Sequence, residues 1–247
     1  MTLLIDADWL IYVGCCAAET EIKWDEYIHT LHSEPSSVKA FVTNKIAEWK
    51  RFTSHDKVVM CFSDYPSFRG QLYPEYKATR IGKRKPLALK ATRSWCSDNY
   101  ESRIMPTLEG DDVLGLLATN GEYEDPIIVA IDKDMRTIPG KLLVDDTLVT
   151  ITPAEASTNW MLQTLTGDTA DNYPGIKGCG PKTAAKILEG ATLLAEMWGL
   201  VLAAYKKAGL TYSDALLNAR LARILRDSDY DYATNTVKLW EPKVQFE

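Results

Sequence analysis

The chain has 247 residues, 46% hydrophobic and 25% charged, which suits one large globular domain or two unequal lobes and excludes disorder as the default state. Its formal net charge is −6 with a pI of about 5.2, which excludes a uniformly basic body; yet nine of its acids fall into five short clusters, and without them the balance turns mildly positive. Five cysteines without a C-x-x-C, and three histidines with no cysteine at a zinc-finger offset, exclude a disulfide framework and argue against zinc.

Asp6 and Asp8 stand where a signal peptide needs a basic start. The uncharged run Trp9 to Ala18 is too short to span a bilayer, so the expectation is a cytoplasmic protein with no membrane partner. Leu3-Leu4-Ile5 reads as a short buried strand ending at Asp6. Ser37 to Phe52 carries Val38, Phe41, Val42, Ile46 and Trp49 at helical spacing. Lys57 to Phe62 reads as a second strand, followed by Asp64, and Ile127 to Ile131 as a third, followed by Asp132. Uniformly apolar strands suit a parallel sheet covered on both faces, with functional groups at the carboxyl ends of its strands.

Between the second and third strands, Glu75 to Arg93 is the most basic stretch, with seven Lys and Arg against one acid. Composition alone also fits a solvated face; Tyr73 and Tyr76 interleave with the charges and offer rings for base stacking. After Ile151 the pattern predicts helices over Asn159 to Thr166, Lys182 to Leu188, Leu193 to Ala208 and Ala215 to Arg226. Arg220, Arg223 and Arg226 read as a solvated helix face, Trp9, Trp49 and Trp160 as core, and Val237 to Trp240 as a closing segment that packs back on the body.

The clusters are Asp6; Asp64; Glu109, Asp111 and Asp112; Asp132 and Asp134; and Asp168 and Asp171. Carboxylates gathered without cations raise one another's pKa, so such a set binds hard cations or stays solvated and apart. Asp132 and Asp134, two apart on an extended chain, project to one side. Glu109, Asp111 and Asp112 precede a helical run, where acids also serve as ordinary caps. Two magnesium ions on such a set would support in-line phosphodiester hydrolysis without a histidine base. Downstream, Gly175, Gly178 and Gly180 lie just before a helix start, with Lys177, Lys182, Thr183 and Lys186 around them. This pattern fits either phosphate held by backbone amides and lysines or a plain helix-turn-helix connection.

Leu4-Ile5-Asp6-Ala7-Asp8, Pro74 to Arg80, Leu108 to Val113, Ile131 to Asp134 and Gly167 to Asn172 stand in an order and spacing that resembles the 5′ nucleases of the flap endonuclease superfamily. The chain is most similar to the 5′-to-3′ exonucleases of short-tailed bacteriophages. The resemblance implies an α/β fold with a largely parallel central sheet flanked by helices. Residues 1–150 would form a PIN-like nuclease core that includes a helical arch over 73–95, and 151–247 a helical lobe with a helix-three-turn-helix at 168–190.

For the first metal it implies Asp6, Asp64, Glu109, Asp111 and Asp112, and for the second Asp132, Asp134, Asp168 and Asp171. Lys77 and Arg80 would contact the scissile phosphate and act in catalysis with Asp111 and Asp134. Tyr76, Lys83, Arg84, Lys85 and the Gly175 to Lys186 segment would bind DNA. The implied cofactors are two Mg²⁺, replaceable by Mn²⁺, with K⁺ at the duplex-binding motif. The implied partners are double-stranded DNA with 5′ ends, nicks, gaps or flaps, and RNA-DNA hybrid, with a monomer favoured. One departure stands out: Ile11, Tyr12 and Val13 occupy the helix after Asp6 where cellular flap endonucleases commonly carry an arginine. The alternatives are a PIN-type metal-dependent ribonuclease and a non-catalytic, structure-specific DNA-binding protein.

Overall fold

The computed structural model describes residues 1–242. Its centre is a six-stranded sheet of β1 (Thr2–Asp6), β4 (Lys57–Phe62), β5 (Glu101–Ile104), β6 (Ile127–Val129), β7 (Gly140–Val144) and β8 (Thr147–Ile151), ordered β5-β4-β1-β6-β7-β8. Every pairing is parallel except β7 with β8. The apolar runs of β1, β4 and β6 are buried on both faces, which is why they do not alternate. After β5 the chain returns to the far side of β1 to form β6. The reversal in strand order leaves a crevice between the carboxyl ends of β1 and β6.

One face of the sheet is covered by α1 (Ala7–Ala18), α2 (Pro35–Thr53) and α4 (Leu89–Asn99), which bury Leu10, Ile11, Val42, Ile46, Trp49 and Cys96 against Leu3, Ile5 and Met60. The other is covered by α5 (Gly110–Thr119), whose Val113, Leu114 and Leu117 pack on Leu4, Val59 and Ile128. A separate hairpin, β2 (Glu19–Lys23) with β3 (His29–Ser33), stands off the sheet between α1 and α2. A short α3 (Phe68–Leu72) follows β4.

The helical lobe comprises α6 (Pro153–Thr166), α7 (Pro181–Ile187), α8 (Leu194–Lys207) and α9 (Tyr212–Ala222) around Trp160, Trp198 and Tyr205. Helix α6 begins earlier than the periodicity predicts, because Thr152 and Glu155 form a capping box with Pro153 at the first turn. Helix α9 stops at Ala222 rather than Arg226. The segment beyond it, with Ile224, Leu225 and Tyr230, returns to the α5 side of the sheet.

That early stop corrects the reading of Arg220, Arg223 and Arg226 as one solvated face. Arg223 is buried against Asp229 and over the Trp160 ring, and Arg226 donates to the Thr137 carbonyl. Trp49 and Trp160 are core, whereas Trp9 is half-buried, stacked on Trp49. Val237 and Leu239 pack on the core, and Trp240 sits edge-on to Trp160 and Trp198. Among the described residues no helix is long and apolar enough to cross a membrane.

Candidate active site

The crevice opens into a cavity of about 430 Å³ whose walls include Asp6, Glu109, Asp111, Asp132 and Asp171 together with Lys77, Arg80, Lys83, Arg84 and Lys85. Asp6 ends β1 and caps α1 by accepting the Trp9 N–H at 3.0 Å. Glu109 caps α5, and Asp111 lies in its first turn. A second, small cavity adjoins it, walled by Glu109, Asp111, Asp134 and Asp171 with Arg69, Tyr76 and Tyr173. Acids from distant parts of the chain therefore meet at the carboxyl ends of the central strands. Asp132 and Asp134 do not project side by side as on an extended chain. Residues Lys133–Thr137 coil into a 3-10 turn capped by Asp132, which sends the two acids to different cavities.

Three of the expected ligands are engaged elsewhere. Asp112, fully buried, takes a bidentate pair from Arg69 at 2.6 and 2.8 Å and also accepts the Glu109 and Leu225 N–H groups, so its oxygens are spent on structure. Asp64 accepts the Thr107 N–H at 2.9 Å and lies outside both cavities. Asp168 caps its own turn through the Ala170 and Asp171 N–H groups and pairs with Lys133 at 3.2 Å. In the trio at the start of α5, capping and site-lining divide between neighbours: Asp112 caps while Asp111 faces the cavity.

The basic arch segment differs from a helical arch. Lys77 at φ 54°, Gly82 at φ 76° and two prolines confine it to turns and one 3-10 turn at Ala78–Arg80 before α4 begins. It folds down over the acids. Lys77 Nζ donates to Glu109 and lies 3.5 Å from Asp171, and Arg80 donates to Asp171 at 2.6 Å. The Tyr76 hydroxyl sits 2.9 Å from both Glu109 and Asp171, while its ring lies beside the Lys77 and Arg69 cations. That packing turns the ring inward, away from a base-stacking position. Arg84 is drawn to Glu19 at the foot of the hairpin.

Charges respond to this arrangement. Burial, with smaller contributions from Asp8 and Asp132, pushes the Asp6 carboxyl up to about 7. Burial and then Asp132 push Asp134 to about 7. Asp111 is raised well above the carboxylate range, first by burial and then by Asp6. Glu109 moves the other way: burial works against its charge, but Lys77 and Arg69 together outweigh it and lower the pKa.

Among the described residues no three acids close to the spacing of one ion's ligand sphere; the arch cations stand among them instead. The donor set nonetheless fits a hard divalent cation. It is all oxygen, Asp6 and Glu109 are buried, and burial with neighbouring acids holds Asp6, Asp111 and Asp134 at raised pKa, which a divalent cation would relieve.

Asp8, Ser63, Tyr65 and Tyr12 also wall the main cavity, although the sequence assigns them no role. Asp8 follows Asp6 by two and accepts the Ser63 N–H while Arg93 donates to it, so proximity to Asp6 is its only signal. In the lobe, Gly175 does not approach a ligand but the chain itself: a Cβ there would lie 2.2 Å from the Gly167 nitrogen. Lys177, Gly178, Gly180, Lys182, Thr183 and Lys186 are all exposed on one run of chain.

Residues 1–166 match the family described as 5′-3′ exonuclease, N-terminal resolvase-like domain, and residues 155–245 match 5′-3′ exonuclease, C-terminal SAM fold. The exonuclease of Escherichia phage T7 is 28% identical over 97% of this chain and 93% of its own length. The exodeoxyribonuclease of Enterobacteria phage T3 is 27% identical over 98% and 93%. Among solved structures, the bacteriophage T5 D15 protein co-crystallised with metal ions superimposes with a TM-score of 0.65 at 14% identity, covering 90% of this chain and 88% of that one, a likeness of fold. With both family regions present in order around one acidic crevice, the chain belongs to the 5′-3′ exonuclease family, whose members hydrolyse phosphodiester bonds.

Proposed function

We propose that the protein is a Mg²⁺- or Mn²⁺-dependent 5′-to-3′ exodeoxyribonuclease on duplex DNA that also cuts flaps and RNA-primed 5′ ends during phage replication. The observation that carries this reading is the cavity in which acids from four separated stretches of sequence share walls with five Lys and Arg side chains. Only a polyanion that brings or shares divalent cations satisfies both kinds of wall at once. Asp6, Glu109, Asp111 and Asp132 would hold one ion or its water shell, and Asp134 and Asp171 a second, with Asp168 acting through solvent. Such ions would supply an activated water and charge neutralisation at the leaving oxygen.

The remaining work belongs to the chain. Lys77 and Arg80, here paired with Glu109 and Asp171, would turn to the scissile phosphate and hold it in line. Lys83 and Lys85 extend the positive wall along the strand. The exposed Lys177, Lys182, Thr183 and Lys186 grip the duplex backbone without reading sequence, and K⁺ would bind at the same motif. Double-stranded DNA with ends, nicks, gaps or flaps is the substrate class, and the protein acts as a monomer in the cytoplasm.

The test is to digest 5′-labelled duplex, nicked, gapped, flapped and RNA-DNA hybrid substrates with Mg²⁺, Mn²⁺ or chelator and to size the first products. Short 5′-phosphorylated products that need the metal support the proposal. Cleavage confined to single-stranded RNA would replace it with a PIN-type ribonuclease, and binding without cleavage in every metal would leave a DNA-binding protein.

A further inference from the structure

We infer that Arg69, outside every motif above, is a positioning residue that selects which oxygen Glu109 presents to the cavity and ties that choice to the end of the helical lobe. The inference rests on the proposed use of Glu109 toward a divalent cation.

Arg69 is 3% exposed, and its five N–H groups match five contacts. Nη1 donates to Glu109 Oε2 at 2.9 Å and Asp112 Oδ2 at 2.6 Å. Nη2 donates to Asp112 Oδ1 at 2.8 Å and the Arg223 carbonyl at 2.6 Å, and Nε donates to the Leu221 carbonyl at 3.0 Å. Those two carbonyls flank Ala222, where α9 ends, so the guanidinium satisfies groups a helix terminus leaves unpaired.

Asp112 is the counter-ion that neutralises Arg69. Glu109 is the arginine's second, shared partner, held through one oxygen only. Glu109 Oε2 is pinned twice, by Arg69 and by the Tyr76 hydroxyl, while Oε1 accepts from Lys77 on its long flexible stem. One oxygen is thus held from behind and the other presented, the arrangement that orients a ligating carboxylate. A simple bolt between core and lobe would need Asp112 and the two carbonyls but not Glu109. The planar fork reaches all four partners together, which a lysine ammonium cannot do.

The test uses the full chain with Arg69→Lys and Arg69→Ala, read by calorimetric Mg²⁺ titration without DNA, by duplex cleavage across a Mg²⁺ series, and by thermal unfolding. Expected in both variants is a rise of about tenfold to a hundredfold in the Mg²⁺ needed for binding and for half-maximal cleavage. Millimolar guanidinium ion, too dilute to denature, should restore both quantities in Arg69→Ala, whereas methylammonium should not.

Wild-type Mg²⁺ dependence in the variants overturns the inference. So does guanidinium that raises the unfolding temperature but leaves Mg²⁺ affinity low. If Arg69→Ala does not fold, Asp112→Asn joins Arg69→Lys: it loosens the hold on Arg69 and should shift Mg²⁺ dependence in the same direction, with an unshifted response counting against the role. A wild-type protein that cleaves no DNA with any divalent metal would sink the proposed function instead, while the calorimetric arm still decides Arg69.

Discussion

The acidic crevice and the glycine-rich turn before α7 treat charge in opposite ways. In the crevice, Glu109, Asp112, Arg69 and Lys77 are withdrawn from water and bound into one network, so each charge depends on its neighbours. On the turn, Lys177, Lys182 and Lys186 stand in solvent with no ion pair among the described residues, and each costs little to keep or remove. The difference separates a region that holds charge under tension from one that keeps it free in solvent, where the proposed function places the duplex. Substitutions in the first should act on chemistry and folding, and those in the second on affinity and salt response.

The sharpest way to break this contrast is to remove acids from the crevice. Asp111→Ala and Asp134→Ala should each slow Mg²⁺-dependent digestion of 5′-labelled duplex by about a thousandfold or more, a barrier change of several kcal/mol. Unchanged digestion in both would take the crevice out of catalysis. Next, Lys77→Ala combined with Arg80→Ala should slow cleavage about a hundredfold while duplex affinity, measured by anisotropy, stays within a few fold. Equal losses would make the segment a docking surface like the lobe.

Tension in the crevice also has a pH signature. Asp6 and Asp134 have folded pKa values of about 7 against the ordinary 3.8 of an aspartate, so the folded protein keeps protons that the unfolded chain releases. Their contribution to stability is complete below about pH 4 and is lost as pH rises towards 7, on the order of a few kcal/mol between them. Metal-free protein should therefore unfold at lower urea concentration at pH 8 than at pH 5, and Mg²⁺ should narrow the gap. A gap that Mg²⁺ leaves untouched would place those protons away from any cation site. The smallest effect belongs to the lobe. Lys177→Ala, Lys182→Ala and Lys186→Ala should each weaken duplex binding severalfold and flatten the log-log salt dependence by about 0.9 for each phosphate no longer neutralised. A salt slope that does not move would free the turn of any role in holding phosphate.

Much of this contrast is legible in the sequence where one residue's neighbours decide its fate. The strands ending at Asp6 and Phe62 and the one starting at Ile127 are readable because burial on both faces demands unbroken apolar runs, although the last stops at Val129, two residues before its apolar run does. The edge strand Glu101–Ile104, half-exposed and carrying Glu, Ser and Arg, has no such run to announce it. The hairpin at Glu19–Ser33 is equally silent, because it pairs with itself away from any core that would impose a pattern. In the site, Asp6, Glu109, Asp111, Asp132, Asp134 and Asp171 line the cavities. Asp112 does not, because its partner Arg69 lies 43 residues away and no local spacing announces it. Arg223 departs from its expected place for the same kind of reason: periodicity continues through the point where α9 ends.

The crossing of Gly167 and Gly175, whose backbones approach too closely for either to carry a side chain, makes the seven-residue excursion between them a closed eyelet. The elbow bearing Asp168 and Asp171 is threaded through the same knot of chain that launches Lys177. An insertion between the two glycines would have to open that crossing, so the spacing between the acids and the first exposed lysine of the lobe is fixed by backbone contact.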